Sequence, residues 1–213
     1  RIASLTSQFK ITVIVDELYS RLIYDNVRYT HLAALPGLFE RTVTLLGPSK
    51  TESMSGYRLG VVVAPSAIVD YMENVLSITA LRAPAYAQHV LVPWLRDDRE
   101  WLVARLSEFN SLRDMTIKQL RRLPWLKLHP QMGTAYAWAD VSALGLPGPK
   151  VAEAILTEAS VLVSPGYQFG PNNEGCFRVC YARDESQWQQ ALEKMTFVLD
   201  KLAVARNLPE RRK

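Results

Sequence analysis

RTVTLLGPSKTESMSGYRLGVVVAP, residues 41–65, holds two apolar runs separated by a polar loop. The first run, TVTLL at 42–46, stops at Gly47-Pro48, and the second, LGVVVA at 59–64, is closed by Pro65. Short runs of this kind, rich in β-branched side chains and without polar alternation, read as strands buried on both faces. Between them stand one amine, Lys50, among small and hydroxylic residues, and one guanidinium, Arg58, eight residues later. Glycine and serine punctuate loops without any chemistry, so an ordinary solvated loop is the reading to beat.

Working outward, ITVIV at 11–15 is a third β-branched run and ends in the acid Asp16. Three short apolar strands interspersed with helical or loop segments predict an α/β layer structure. Helical spacing covers 66–76 with Ser66 as its N-cap, then Ala85–Leu95, then a long helix from Asp97 to Arg122 that Pro124 ends. Beyond it the character changes. GTAYAWADV alternates like a half-buried strand, 149–159 is helical, and VLVSP and FRVCYA read as strands. A closing amphipathic helix covers 184–205. The stretch AYAWAD, with Tyr136 and Trp138, reads as core packing. The expected division is a first part over 1–95, a connecting long helix over 96–122, and a smaller α+β part over 123–213.

Composition excludes several classes. The 213 residues are 48% hydrophobic and 22% charged, which is ordinary for a globular chain. No apolar run reaches the roughly 18 residues a membrane span needs. The net charge of +4 is mild, its basic residues are scattered, and the tail Arg206, Arg211, Arg212, Lys213 reads as a solvated terminus, which points away from nucleic acid. Cys176 and Cys180 lie on one strand, about 13 Å apart at 3.3 Å per residue. That is beyond the roughly 7 Å a disulfide allows between α-carbons. Two free thiols fit a reducing, cytoplasmic compartment. His31, His89 and His129 show no metal-ligand spacing, so no metal is expected. The chain opens at Arg1 with RIASLTSQFK, which reads as the end of an amphipathic helix and makes the C-terminal part of a longer chain the expectation.

Ligands of open α/β sheets bind beyond the carboxyl ends of strands. Asp16 lies just past the first strand, Tyr19 three residues on, and Lys50 past the second strand. A carboxylate, a phenol, an amine and a guanidinium are what pyridoxal phosphate (PLP) requires. The amine holds the aldehyde as a Schiff base, the carboxylate keeps the pyridine nitrogen protonated, and the arginine fork suits the phosphate.

VIVDELYSRLIYD resembles the D-x-x-Y element of the class I/II aminotransferases, which are PLP enzymes of fold type I. SKTESMSGYRLG resembles their lysine signature, and FGPNNEGCFRVCYA resembles the C-terminal element whose arginine grips the substrate α-carboxylate. The separations, 34 residues from Asp16 to Lys50 and 128 from Lys50 to Arg178, also fit. The resemblance implies a mixed, mostly parallel sheet from the large PLP-binding domain, followed by the small domain. It implies a homodimer that moves an amino group from an amino acid to a 2-oxo acid in ping-pong fashion. Lys50 would be the Schiff-base lysine and proton shuttle, Asp16 the pyridinium partner, and Tyr19 the donor to the cofactor's phenolic oxygen. Arg58 and Ser49 would bind phosphate, and Arg178 the substrate carboxylate. Arg82 lies where relatives approach a neighbouring subunit's site. A β-lyase, a cyclase, or the effector-sensing domain of a transcription regulator would use the same frame. The chain departs from the pattern at Gly47, where many members carry serine, at Pro48, and at Glu52, where an apolar or aromatic residue is frequent. The family's phosphate-cradling loop, ring-stacking aromatic and cofactor-contacting asparagine are absent from these 213 residues, which are therefore expected to be inactive by themselves.

Overall fold

The computed structural model describes residues 1–129 and 131–212. The chain divides into two compact units, Arg1–Leu106 and Ser107–Lys213. Helix α5 (Arg99–Leu120) runs through the division.

The first unit holds a mixed three-stranded sheet in the order β1 (Val13–Asp16), β2 (Thr42–Leu46), β3 (Val61–Val63). β1 and β2 are parallel, with Val13 opposite Thr42 and Asp16 opposite Leu45. β2 and β3 are antiparallel, with Leu46 opposite Val61. β2 has a neighbour on each side, and its first three residues are buried. β1 and β3 are edges of this sheet. The expectation of a β1 buried on both faces is therefore corrected: its residues alternate between half-buried and exposed, and Ile14 is 70% exposed. Leu22, Tyr24, Leu38, Val43 and Leu59 form the core beside the sheet.

Four helices complete this unit: α1 (Ile2–Phe9), α2 (Ser66–Ile78), α3 (Ala85–Gln88) and α4 (Leu91–Arg96). The predicted Ser66 cap is corrected. Pro65 occupies the N-cap, Ser66 is the first helical residue, and no side chain caps the end. The single helix expected over Ala85–Leu95 is two. Pro93 has no N–H to bond back into a preceding turn, so the chain restarts at Leu91 and places the proline in a first turn, where that donor is not needed.

The second unit is an antiparallel sheet in the order β4 (Lys127–Leu128), β5 (Tyr136–Asp140), β7 (Cys176–Cys180), β6 (Ser164–Pro165). The inward residues of β5 and β7 are Ala137, Ala139, Phe177 and Val179, all fully buried or nearly so. Helices α6 (Gly148–Ala159) and α7 (Glu185–Val204) bury Val151, Ile155, Leu192, Met195 and Leu199. The Trp188 indole donates to the Thr116 hydroxyl at 2.8 Å and pins α7 to α5 within this unit. VLVSP contributes only the two residues of β6, an edge strand that ends in a proline unable to donate to a ladder. The basic tail is also not simply solvated. The Arg212 N–H donates to the Arg122 carbonyl at 2.8 Å, and the Arg211 N–H to Asp200 Oδ1 at 2.8 Å. Lys213 lies outside the described residues.

Candidate active site

Sheet topology gathers the expected cofactor residues. β1 and β2 run parallel, so Asp16 and the loop after Leu46 leave the sheet at one end. β3 runs back, so Val61 and the loop before it stand at that same end. Asp16, at the close of β1, and Lys50 and Arg58, on the connection between β2 and β3, thus sit at one end of a three-stranded sheet, where the carboxyl ends of the two parallel strands open.

Asp16 closes β1. Its Oδ1 accepts the Leu18 N–H at 3.1 Å, which turns the chain toward Tyr19. The next residue, Glu17, is buried and its Oε2 lies 2.5 Å from His31 Nδ1. Burial pushes the Tyr29 phenol above its ordinary range, and the Glu17 and Asp16 charges add to the shift. A cavity of about 640 Å³ lies against this strand, lined by Val13, Val15, Asp16, Glu17, Tyr29 and Leu32 among others.

Lys50 occupies the turn after β2, where the Ser53 N–H donates to the Lys50 carbonyl and the Met54 N–H to the Pro48 carbonyl. The side chain is exposed and its Nζ stands 5.9 Å from the centre of the Tyr19 ring. Amine and phenol, 31 residues apart in sequence, are thereby brought together. Gly47 has a steric reason to be glycine. A Cβ there would stand 3.1 Å from Leu18 Cδ2 and 3.2 Å from the Leu59 carbonyl, tighter than ordinary contact. Ser49 is half-buried on this turn. Arg58 sits in the left-handed region, with φ of 53°, and its guanidinium donates to the Ser55 carbonyl at 2.9 Å. It is exposed and held by its own loop. Arg82 is also exposed, 3.6 Å from Glu73.

Arg178 belongs to the second unit. It lies opposite Trp138 on β5 and Ser164 on β6. Its guanidinium carbon is 4.1 Å from the Tyr136 ring centre and 4.3 Å from that of Phe169. Trp138 packs edge-on against Phe169 at 5.3 Å. No carboxylate pairs with Arg178 among the described residues. The reading of Tyr136 and Trp138 as core is corrected: the alanines between them face inward, and the aromatic rings share the outward face with Arg178. Cys176 shares this face, and burial pushes its thiol up. Gly166 starts the turn that carries Phe169. A Cβ there would fall 2.1 Å from the Asn173 carbonyl, so only glycine fits.

Residues 1–195 match the model of the aminotransferase class I and II family. The chain belongs to the class I and II aminotransferases. It is 34% identical to an aspartate aminotransferase of Pyrococcus abyssi over 93% of this chain and 51% of that protein. It is 32% identical to aromatic-amino-acid aminotransferase 2 of Thermococcus litoralis, again over 93% and 51%. The crystal structure of an aromatic aminotransferase from Pyrococcus horikoshii superposes with a TM-score of 0.88 at 35% identity, covering 94% of this chain and 54% of that one. The chain spans about half the length of the relatives it matches. Among the described residues, no helix is long and apolar enough to cross a membrane.

Three features carry no signal in the sequence motifs: in the first unit the Glu17–His31 pair and the ion pair between Arg21 and Glu52, and in the second the aromatic rings on Arg178. Each joins residues whose proximity depends on the fold.

Proposed function

We propose that the protein of which these residues are part is a PLP-dependent aminotransferase acting on amino acids and 2-oxo acids. The approach of Lys50 to Tyr19, at the sheet end that also carries Asp16, supports this reading most directly. The donor set fits PLP chemically: an exposed primary amine and a guanidinium on the loop after β2, and a carboxylate and a phenol at the end of β1 and just beyond it. When bound, PLP supplies a ring that accepts the electron pair left as the substrate α-C–H bond breaks.

In this reading Lys50 would hold the cofactor through its Nζ and would carry the substrate α-proton. Asp16 would keep the pyridine nitrogen protonated by its negative charge. Tyr19 would donate its phenolic hydrogen to the cofactor's phenolic oxygen. Ser49 and Arg58 would bind the phosphate. Arg178 forks onto the substrate carboxylate, and its planar group is well suited to two parallel hydrogen bonds. Residues 1–95 would then belong to the cofactor-binding domain and 123–213 to the small domain, in a cytoplasmic homodimer.

Borohydride reduction of the full-length protein with PLP, followed by peptide mass mapping, should place a pyridoxyl group on Lys50. Label on another lysine, or PLP uptake with no labelled lysine, would remove the basis of this reading.

A further inference from the structure

Arg21 joins three segments that are distant in the chain. It follows Tyr19 by two residues, and its NH1 lies 2.9 Å from Oε1 of Glu52, which follows Lys50 by two. Its NH2 donates to Asp98 Oδ1 at 2.7 Å, immediately before α5, and NH1 also reaches the Trp94 carbonyl at 3.3 Å. The guanidinium carbon stands 5.6 Å from the Trp94 ring centre. The Glu52 side chain is only 6% exposed. Burial pushes its carboxyl above the ordinary value while Arg21 pulls it down. A carboxylate this buried is costly without its cation, so the two segments are held to one relative position.

Each clamp residue is fixed to a functional one through a single turn. The Leu22 N–H donates to the Tyr19 carbonyl at 2.9 Å, closing a turn around Arg21. The Ser53 N–H donates to the Lys50 carbonyl at 3.3 Å, closing a turn around Glu52. A shift of Arg21 against Glu52 is therefore passed on as a shift of the Tyr19 phenol against the Lys50 amine. A misplacement of about 1 Å at a reacting group can cost on the order of a hundredfold in rate.

We propose that the Arg21–Glu52 ion pair is a positioning clamp that registers the tyrosine turn against the lysine turn, with Asp98 orienting the arginine from the start of α5. Neither residue of the pair touches reacting atoms. The clamp's consequence for catalysis rests on the reading of Lys50 as the reactive amine; its mechanical part does not.

The test uses the full-length protein with Glu52→Ala, the milder Glu52→Gln, and Lys201→Ala as a control that breaks the Lys201–Glu158 pair of the second unit. Hydrogen exchange is measured first, without cofactor. In Glu52→Ala, protection should fall together in 17–24 and 48–54, by roughly tenfold for a pair of this burial. Glu52→Gln keeps the shape but removes the charge that faces Arg21 at 2.9 Å, so it should loosen both segments as well, and Lys201→Ala should change neither. Loosening confined to 48–54 would overturn the clamp. With PLP bound, Glu52→Ala should shift the pH midpoint of the cofactor's visible absorbance and lower kcat, and in a Tyr19→Phe background it should add little to either. Full additivity with Tyr19→Phe would also overturn it. Failure of the wild type to take up PLP would defeat the functional reading, and the exchange result would still decide the clamp.

Discussion

Arg178 shows how much one side chain depends on its surroundings. A guanidinium flanked by two rings keeps its plane fixed and its N–H edge available, and no acid competes for it among the described residues. Arg178→Lys keeps the charge but loses both the fork and the stacking surface. Losing a charge-assisted pair of this kind costs roughly 2–5 kcal/mol, and about 1.4 kcal/mol is tenfold. On the proposed function, the full-length protein should therefore lose tens to thousands-fold in kcat/KM for amino and oxo acids alike, with PLP content near wild type by absorbance. An equal loss on an amine lacking the carboxylate would mean that Arg178 is structural. Lys50, Asp16, Tyr19 and Arg178 could be singled out as candidates because each sits in a short local pattern. Tyr136 was not, because alternation of apolar residues cannot say which face is inward when alanine and aromatic side chains are both apolar. Glu52 and Arg21 were not legible as partners because their pairing is made by the fold alone.

At the scale of elements, strand and helix positions were mostly readable from apolar runs and periodicity, while ends and burial were not. β1 was read as doubly buried from composition, yet burial depends on neighbours, and it has a strand on one side only. The prolines at 93 and 165 moved boundaries by removing donors. Helix α7 carries a side-chain N-cap bond: Asp184 Oδ1 accepts the Gln187 N–H at 3.0 Å, and the Ser186 hydroxyl donates to the same oxygen at 2.7 Å. The bonds from Gln187 and Ser186 hold its carboxyl below the ordinary 3.8. A carboxylate with a lowered folded-state pKa stabilises fully above its unfolded value and loses that contribution as pH falls through the folded one. Asp184→Ala should therefore lower the unfolding temperature at pH 7, and the gap to wild type should close as pH is brought below about 4. Asp184→Asn, which caps without titrating, should show little of this pH dependence. Thermal melts of the three proteins between pH 3 and 7 measure it. A gap that stays constant across this range would mean that the Asp184 charge is not what caps α7.

At the scale of the whole chain, the two units differ in how fully they bury their apolar surface. In the second, Ala137, Ile155, Phe177, Met195 and Leu199 are completely buried between one sheet and its helices. The first leaves Ile14, Tyr71, Ile78, Leu81 and Tyr86 in solvent, with Ile78 at 84% exposure, and its β1 offers an unpaired backbone edge. Apolar surface stabilises only when removed from water, at roughly 25 cal/mol per Å², and an open strand edge invites pairing with another chain. Local stability should follow this difference. When the 213 residues are produced by themselves, amides of β1, β2 and α2 should exchange at least about tenfold faster than those of β5, β7 and α7. Self-association should rise with concentration. In the full-length protein, protection of β1 should increase far more than that of β7. Equal protection of the two units in the 213-residue chain, measured by exchange and mass spectrometry with light scattering alongside, would mean that the first unit is complete as it stands. The exposed face of α2 and the edge of β1 would then be ordinary surface.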